Sequence, residues 1–274
     1  MAARDRSVRL HGLTFHFLDW GIAGGLPLVL LHGGAQTAHS WDEVAPELAR
    51  DHHVLAFDQR GHGDTDWSAG GAYARRDFVG DIGAFLDHQG WPEATLIGLS
   101  LGGLNAIAFA TARPERVRGL VVVDVVPTIA PGGREAIGTQ LAVREFASFE
   151  EAVDRARTFN PRRSVENIRE RLGHGMRPLP DGRWTYKFDP AIAGGTAEAD
   201  LDRLWRDVRG LRGPVLLVRG AESPILTVEG VARFLREARD SRVAEVPGAG
   251  HSVMGDNPAG FLAAVRPFLA RHEL

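Results

Sequence analysis

The chain has 274 residues, 44% of them apolar and 24% charged, with a formal net charge of −3 and no cysteine. This is the composition of an ordinary globular protein able to bury a sizeable core. It excludes disulfides, thiolate metal sites and cysteine nucleophiles, and with no basic stripe it gives no footing to nucleic acid. A single lysine, Lys187, leaves Schiff-base and P-loop chemistry almost without a candidate. No apolar run approaches the ~20 residues of a membrane-spanning helix. The opening Met1-Ala-Ala-Arg-Asp-Arg lacks the apolar core of a secretory signal, so the expectation is a cytoplasmic protein without a membrane partner.

In chain order, Ser7–Leu10 and Thr14–Asp19 read as a hairpin around His11-Gly12. Pro27–Leu31 reads as a buried strand ending at His32-Gly33-Gly34. His53–Phe57, Ala94–Leu99, Leu120–Val125 and Pro214–Val218 are further buried strands, and Arg242–Val246 is a weaker last one. Helical patterns over Trp41–Arg50, Arg75–His88, Leu101–Ala112, Val228–Ala238 and Pro258–Arg271 follow strands as crossover connections require. Thr128–Arg209 has helical periodicity over Arg144–Phe159, Ser164–Leu172 and Ala199–Val208 but no core strand. The expectation is a core of residues 1–127 and 210–274 with a helical cap, 128–209, inserted in it.

Gly98-Leu99-Ser100-Leu101-Gly102-Gly103 joins a buried strand to an Ala-rich helix. In that context Ser100 occupies a strained turn that lifts its hydroxyl clear of the sheet, and glycine neighbours let strand and helix approach. His32-Gly33-Gly34-Ala35 ends an earlier strand, so the Gly34 and Leu101 N–H groups are the expected oxyanion donors. His32 itself is expected to hold structure by hydrogen bonding. Gly248-Ala249-Gly250-His251-Ser252 lies between the last strand and the last helix, from which an imidazole can reach a preceding elbow and activate a serine alcohol. Of the other histidines, His39 and His62 are candidates for the pocket.

These motifs resemble the α/β-hydrolase superfamily from about Ser7 to Ala270, together with Asp58-Gln59-Arg60-Gly61-His62-Gly63, Asp124-Val125-Val126-Pro127 and Arg219-Gly220-Ala221-Glu222-Ser223. The resemblance implies a mostly parallel eight-stranded sheet flanked by helices, and a mainly structural role for Asp58 and Arg60. It also exposes a departure. Where many members of the superfamily carry the triad aspartate, this chain has Ser223, beside Glu222. Some members, the haloalkane dehalogenases among them, take the acid from the end of the preceding strand, where Asp124 stands. Asp124 is therefore preferred, with Glu222 the alternative.

A serine nucleophile argues against epoxide-hydrolase or dehalogenase chemistry, in which this superfamily attacks with a carboxylate. The expected activity is hydrolysis of a small carboxylic ester through an acyl-Ser100 intermediate, with no cofactor or metal. The alternatives are cleavage of a C–C, enol-lactone or amide bond in a carboxylated compound, or a non-catalytic receptor of the same fold. Pocket candidates are Trp41, Arg162, Arg163, Tyr186 and Met254, and one arginine offers a bidentate partner to a substrate carboxylate. The expected partner is a small molecule, with the chain a monomer or homodimer.

Overall fold

In the computed structural model, which describes residues 2–22, 24–192 and 201–274, β1 (Arg4–Leu10) and β2 (Leu13–Trp20) pair antiparallel around His11 and Gly12. Both turn residues have positive φ, 50° and 81°, the combination that lets a two-residue turn follow the strand twist. β3 (Leu26–Leu31), α1 (Ala45–Leu48), β4 (His52–Phe57), α2 (Arg75–His88), β5 (Ala94–Leu99), α3 (Leu101–Ala112) and β6 (Val117–Val123) follow. Between β6 and β10 come α4 (Pro131–Leu141), β7 (Glu145–Phe146), α5 (Phe149–Phe159), α6 (Val165–Gly175), β8 (Met176–Pro178), β9 (Trp184–Tyr186) and α7 (Leu201–Gly210). The chain ends through β10 (Val215–Gly220), α8 (Val228–Glu237), β11 (Ser241–Val246), α9 (Val253–Asp256) and α10 (Pro258–His272).

Eight strands form one sheet in the order β1-β2-β4-β3-β5-β6-β10-β11. The pairs β1/β2 and β2/β4 are antiparallel and the remaining five are parallel. β5 is buried at every residue, because helices cover both faces of the sheet, and its sequence is correspondingly apolar without alternation. One face packs on α2, α3, α7 and α8 through Phe85, Ile107, Trp205 and Phe234. The other packs on α1, α9 and α10 through Leu48, Val253, Phe261 and Phe268. Trp41 and Met254, expected in the pocket, belong to this second layer. Both are 0% exposed, and the Trp41 ring packs 6.1 Å from that of Phe261.

The segment between β6 and β10 is not purely helical. β7, β9 and β8 make a small antiparallel sheet, two or three residues per strand, too short for alternation to mark it in the sequence. α5 begins later than its periodicity suggests because Ser148 caps it, accepting from the Glu151 N–H at 3.1 Å. Ser164 caps α6 in the same way through Asn167. The expected helix from Ala199 is seen from Leu201; Ala199 and Asp200 lie outside the described residues. A further helix, α4, lies where no periodicity marks one. The expected Trp41–Arg50 helix is reduced to the single turn of α1, preceded by a 3-10 turn at Ala38–Trp41. No helix among the described residues is long and apolar enough to cross a membrane.

The Asp58–Gly63 turn serves as internal scaffolding. Asp58 accepts from the N–H groups of Ala38 (2.6 Å) and Asp64 (2.9 Å) and from His16 Nδ1 (2.8 Å). Arg60 meets Asp81 in a two-pronged ion pair of 2.5 and 2.6 Å, with side chains only 7% and 2% exposed. Removing one partner of such a pair leaves a buried charge uncompensated. Asp81→Ala is expected to lower unfolding free energy by about 3–5 kcal/mol in urea titrations, while catalytic constants of the folded fraction at low temperature change little.

Candidate active site

β5 delivers Ser100 at φ 51° and ψ −114°, a conformation in which a non-glycine residue is strained by about 1–3 kcal/mol. The surrounding backbone holds it there. Ser100 N–H donates to the Val123 carbonyl (3.1 Å), and the Ser100 carbonyl accepts from Leu104 N–H (3.0 Å). A Cβ on Gly98 would stand 2.5 Å from the Gly102 carbonyl carbon, and one on Gly102 would stand 2.7 Å from the His32 carbonyl oxygen. The elbow glycines are thus required by close backbone contact. Leu101 opens α3, so its N–H has no acceptor within the helix. Among the described residues, no hydrogen bond engages the Ser100 hydroxyl or the Gly34 N–H.

β6 delivers Asp124, fully buried and itself at φ 49°. One carboxylate oxygen accepts from Gly220 N–H at 3.0 Å. The other accepts from the Ser223 hydroxyl and from His251 Nδ1–H, the latter at 2.8 Å. Ser223 Oγ in turn accepts from Ile225 N–H (3.1 Å), which turns its own hydrogen toward Asp124. An ionised carboxylate can only accept, so His251 carries its proton on Nδ1 and leaves Nε2 as a base. Glu222 is engaged elsewhere, by Arg162, with Nε 3.0 Å from Oε2. Backbone bonds from Ala221 to Val246 and from Glu222 to Ala249, each 3.0 Å, lace the β10 exit to the His251 loop.

Ser100, His251, Gly34, Arg162, Arg163 and Tyr186 all border one cavity of about 490 Å³. Ile225 and His39 also face it. His62 does not; it is buried between His32, with ring centroids 5.0 Å apart, and Phe188, at 6.2 Å. Arg183 and Lys187 do not line it either, being paired with Asp181 (2.7 Å) and Asp64 (2.8 Å). Gln36 and Arg171 are among the cavity residues that escaped the sequence reading. Gln36 donates to Ser252 Oγ (3.2 Å) and accepts from Ser40 Oγ (3.0 Å), linking the Gly33-Gly34 loop to the neighbour of His251. Arg171 borders the cavity from α6. Nothing in the spacing of either residue distinguishes it from a surface residue.

His39, Asp42 and His174 bring ligand-type atoms within 4.8 Å of one another. The two imidazoles, however, stack face to face, 3.5 Å apart and 13° from parallel. Their in-plane lone pairs therefore run side by side and do not converge on one ion.

A family described as the alpha/beta hydrolase fold matches residues 27–258. The chain belongs to the α/β-hydrolase fold family. It is 35% identical over 261 residues to the esterase Rv0045c of Mycobacterium tuberculosis, covering 92% of this chain and 85% of that one. It is 31% identical over 280 residues to a 3-hydroxybutyrate-oligomer hydrolase of Cupriavidus necator, covering 94% and 93%. Among solved structures, that of E-2-(acetamidomethylene)succinate hydrolase superposes with a TM-score of 0.88 at 26% identity, over 98% of this chain and 99% of the other.

Within this hydrolase fold the histidines beneath the Gly33-Gly34 loop are held neutral. His32 Nδ1–H donates to the Gly33 carbonyl (2.7 Å), and Nε2 accepts from Gln59 N–H (2.9 Å). Burial lowers its pKa. His62 is lowered to about 3 by burial and by the neighbouring His32. Between that value and the ordinary 6.5, the unfolded chain binds a proton at this position and the folded chain does not, so stability falls as pH falls. The expected loss from His62 between pH 7 and pH 5 is about 2 kcal/mol. Denaturant titrations at the two pH values should show a smaller drop for His62→Gln by that amount.

Proposed function

We propose that this protein is a serine hydrolase that cleaves a small carboxylic ester through an acyl-Ser100 intermediate, beneath a cap formed by residues 128–209. The observation that carries the proposal is the Asp124–His251 hydrogen bond of 2.8 Å at the edge of the cavity that Ser100 also borders. In the reaction, His251 Nε2 removes the Ser100 hydroxyl proton as Oγ attacks the substrate carbonyl carbon. Asp124 holds the imidazole in the required tautomer and stabilises the imidazolium that forms. The oxyanion is received by the N–H groups of Leu101 and Gly34, and losing one such donor typically costs about 3–4 kcal/mol of barrier. Collapse of the tetrahedral adduct breaks the ester C–O bond, and His251 passes its proton to the departing alkoxide. Water, deprotonated by the same Nε2, then attacks the acyl-enzyme and releases the acid and Ser100.

A second reading keeps the same triad and replaces the ester by an amide or C–C bond in a carboxylated compound. The close superposition on E-2-(acetamidomethylene)succinate hydrolase favours including it. A panel of simple esters against carboxylated amides and dienoates, ranked by kcat/KM, separates the two.

A fluorophosphonate probe is expected to add once, at Ser100, in intact-protein and peptide mass spectra; an unlabelled folded protein would point to a non-catalytic receptor. Asp124→Asn should lower kcat by about 10⁴-fold, because the imidazole is then held in the wrong tautomer. Glu222→Gln should change it by less than about tenfold, since that carboxylate is neutralised at the surface by Arg162. The opposite ranking would assign the acid to Glu222.

A further inference from the structure

Three arginines from the segment between β6 and β10 border the cavity: Arg162, Arg163 and Arg171. Two have carboxylate partners. Arg162 binds Glu222, and Arg163 binds Asp256 at 2.9 Å while donating to the Ser252 carbonyl at 3.3 Å. Arg171 has no ion pair among the described residues. Its one hydrogen bond is a long one, from Nη1–H to the Ser40 carbonyl at 3.5 Å. The acids nearest in its field are otherwise occupied: Glu43 accepts from Asn167 Nδ2 (2.6 Å) and Asp42 from His39 Nδ1 (2.8 Å). Burial, with repulsion from Arg163, pushes the guanidinium down to about 9, against the pull of Glu43, Asp42 and Asp256.

A guanidinium offers five donors in a planar fork, and Arg171, which borders the cavity that holds Ser100, engages only one of its nitrogens among the described residues, with the Ser40 carbonyl. We propose that Arg171 is the carboxylate-binding subsite of this cavity, and that the substrate accordingly carries a free carboxylate remote from the bond that is cleaved. The inference rests on the serine-hydrolase reading and narrows it to acidic substrates. It also transfers the anion-binding role from Arg162 and Arg163, which are already neutralised, to a residue whose sequence context gives no hint of it. One guanidinium balances one negative charge. Arg162 with Glu222 and Arg163 with Asp256 already balance one another, so Arg171 is left to match a single negative charge, and a carboxylate fits it better than a phosphate dianion.

The test compares two substrates with the same five-carbon acyl chain and aryl leaving group, an aryl pentanoate and an aryl hemiglutarate. Wild type should favour the hemiglutarate in kcat/KM by about ten- to a hundredfold. Arg171→Met should abolish that preference chiefly through KM, and Arg171→Lys should restore part of it, since charge returns without the fork. Glutarate should inhibit pentanoate hydrolysis by wild type competitively and more strongly than inorganic phosphate, a measurement that needs no variant. Calorimetry on Ser100→Ala should detect glutarate binding that disappears in Ser100→Ala/Arg171→Met. An unchanged ester ratio in Arg171→Met, or phosphate competing as well as glutarate, would overturn the subsite. Failure of wild type to hydrolyse either ester would instead count against the hydrolase reading, with the glutarate calorimetry still deciding the role of Arg171.

Discussion

The carboxylate of Asp124 ties together three parts of the chain that are far apart in sequence. It closes the end of β6, takes the Gly220 N–H and Ser223 hydroxyl from the β10 exit, and takes Nδ1–H from His251 in the loop after β11. Ser223 N–H bonds the Gly220 carbonyl, and Glu222 N–H bonds the Ala249 carbonyl, tying the β10 exit to the loop that carries His251. Because the group is fully buried, its charge is acceptable only when its lone pairs are matched by donors. The same requirement that stabilises the acid therefore fixes the imidazole. Ser223 occupies the position where many superfamily members carry their acid, and here its hydroxyl donates to Asp124.

Strain at two adjacent strand ends is part of the same design. Ser100 and Asp124 both have positive φ, at the C-terminal ends of neighbouring parallel strands, where open α/β sheets collect their ligands. Ser100 N–H bonds to Val123, immediately before Asp124, while Asp124 N–H bonds to Val218 in β10. The two strained residues are thus braced through consecutive strands. The rigid sheet beneath them, packed on both faces, supplies the free energy that holds these conformations. A loop without such backing would relax.

The sequence exposes features whose causes are local. The elbow around Ser100 is legible because its glycines flank the serine in a fixed spacing and Gly98 is demanded by contact with Gly102 four residues on, and the hairpin because His11-Gly12 satisfies its own turn. The choice between Asp124 and Glu222 is not local. Both sit at strand ends before His251, and only the register of β10 against β6 shows that one faces the imidazole while the other meets Arg162. Trp41 and Met254 mislead for a related reason: an apolar residue near a catalytic loop has the same pattern whether it turns to the cavity or to the layer beneath. β7, β8 and β9 are hidden by their length. Gln36 and Arg171 act through partners brought close only by folding, so no motif contains them.

The ion pairs on the cavity wall also bear on which carboxylate His251 meets. Glu222 lies next to Ser223 and within the same loop that presents Gly220 to Asp124, so an unpaired carboxylate there would be a second acceptor available to His251. Arg162 removes that option by engaging Glu222 from the segment between β6 and β10. Arg163 does the same for Asp256, which also accepts from Gly250 N–H at 2.9 Å, one residue before the imidazole. Both carboxylates near the histidine loop are therefore held by arginines contributed by one segment, that between β6 and β10. His251 is left with a single carboxylate partner, the one in the core, and the position of the segment between β6 and β10 becomes coupled to the electrostatics around the imidazole.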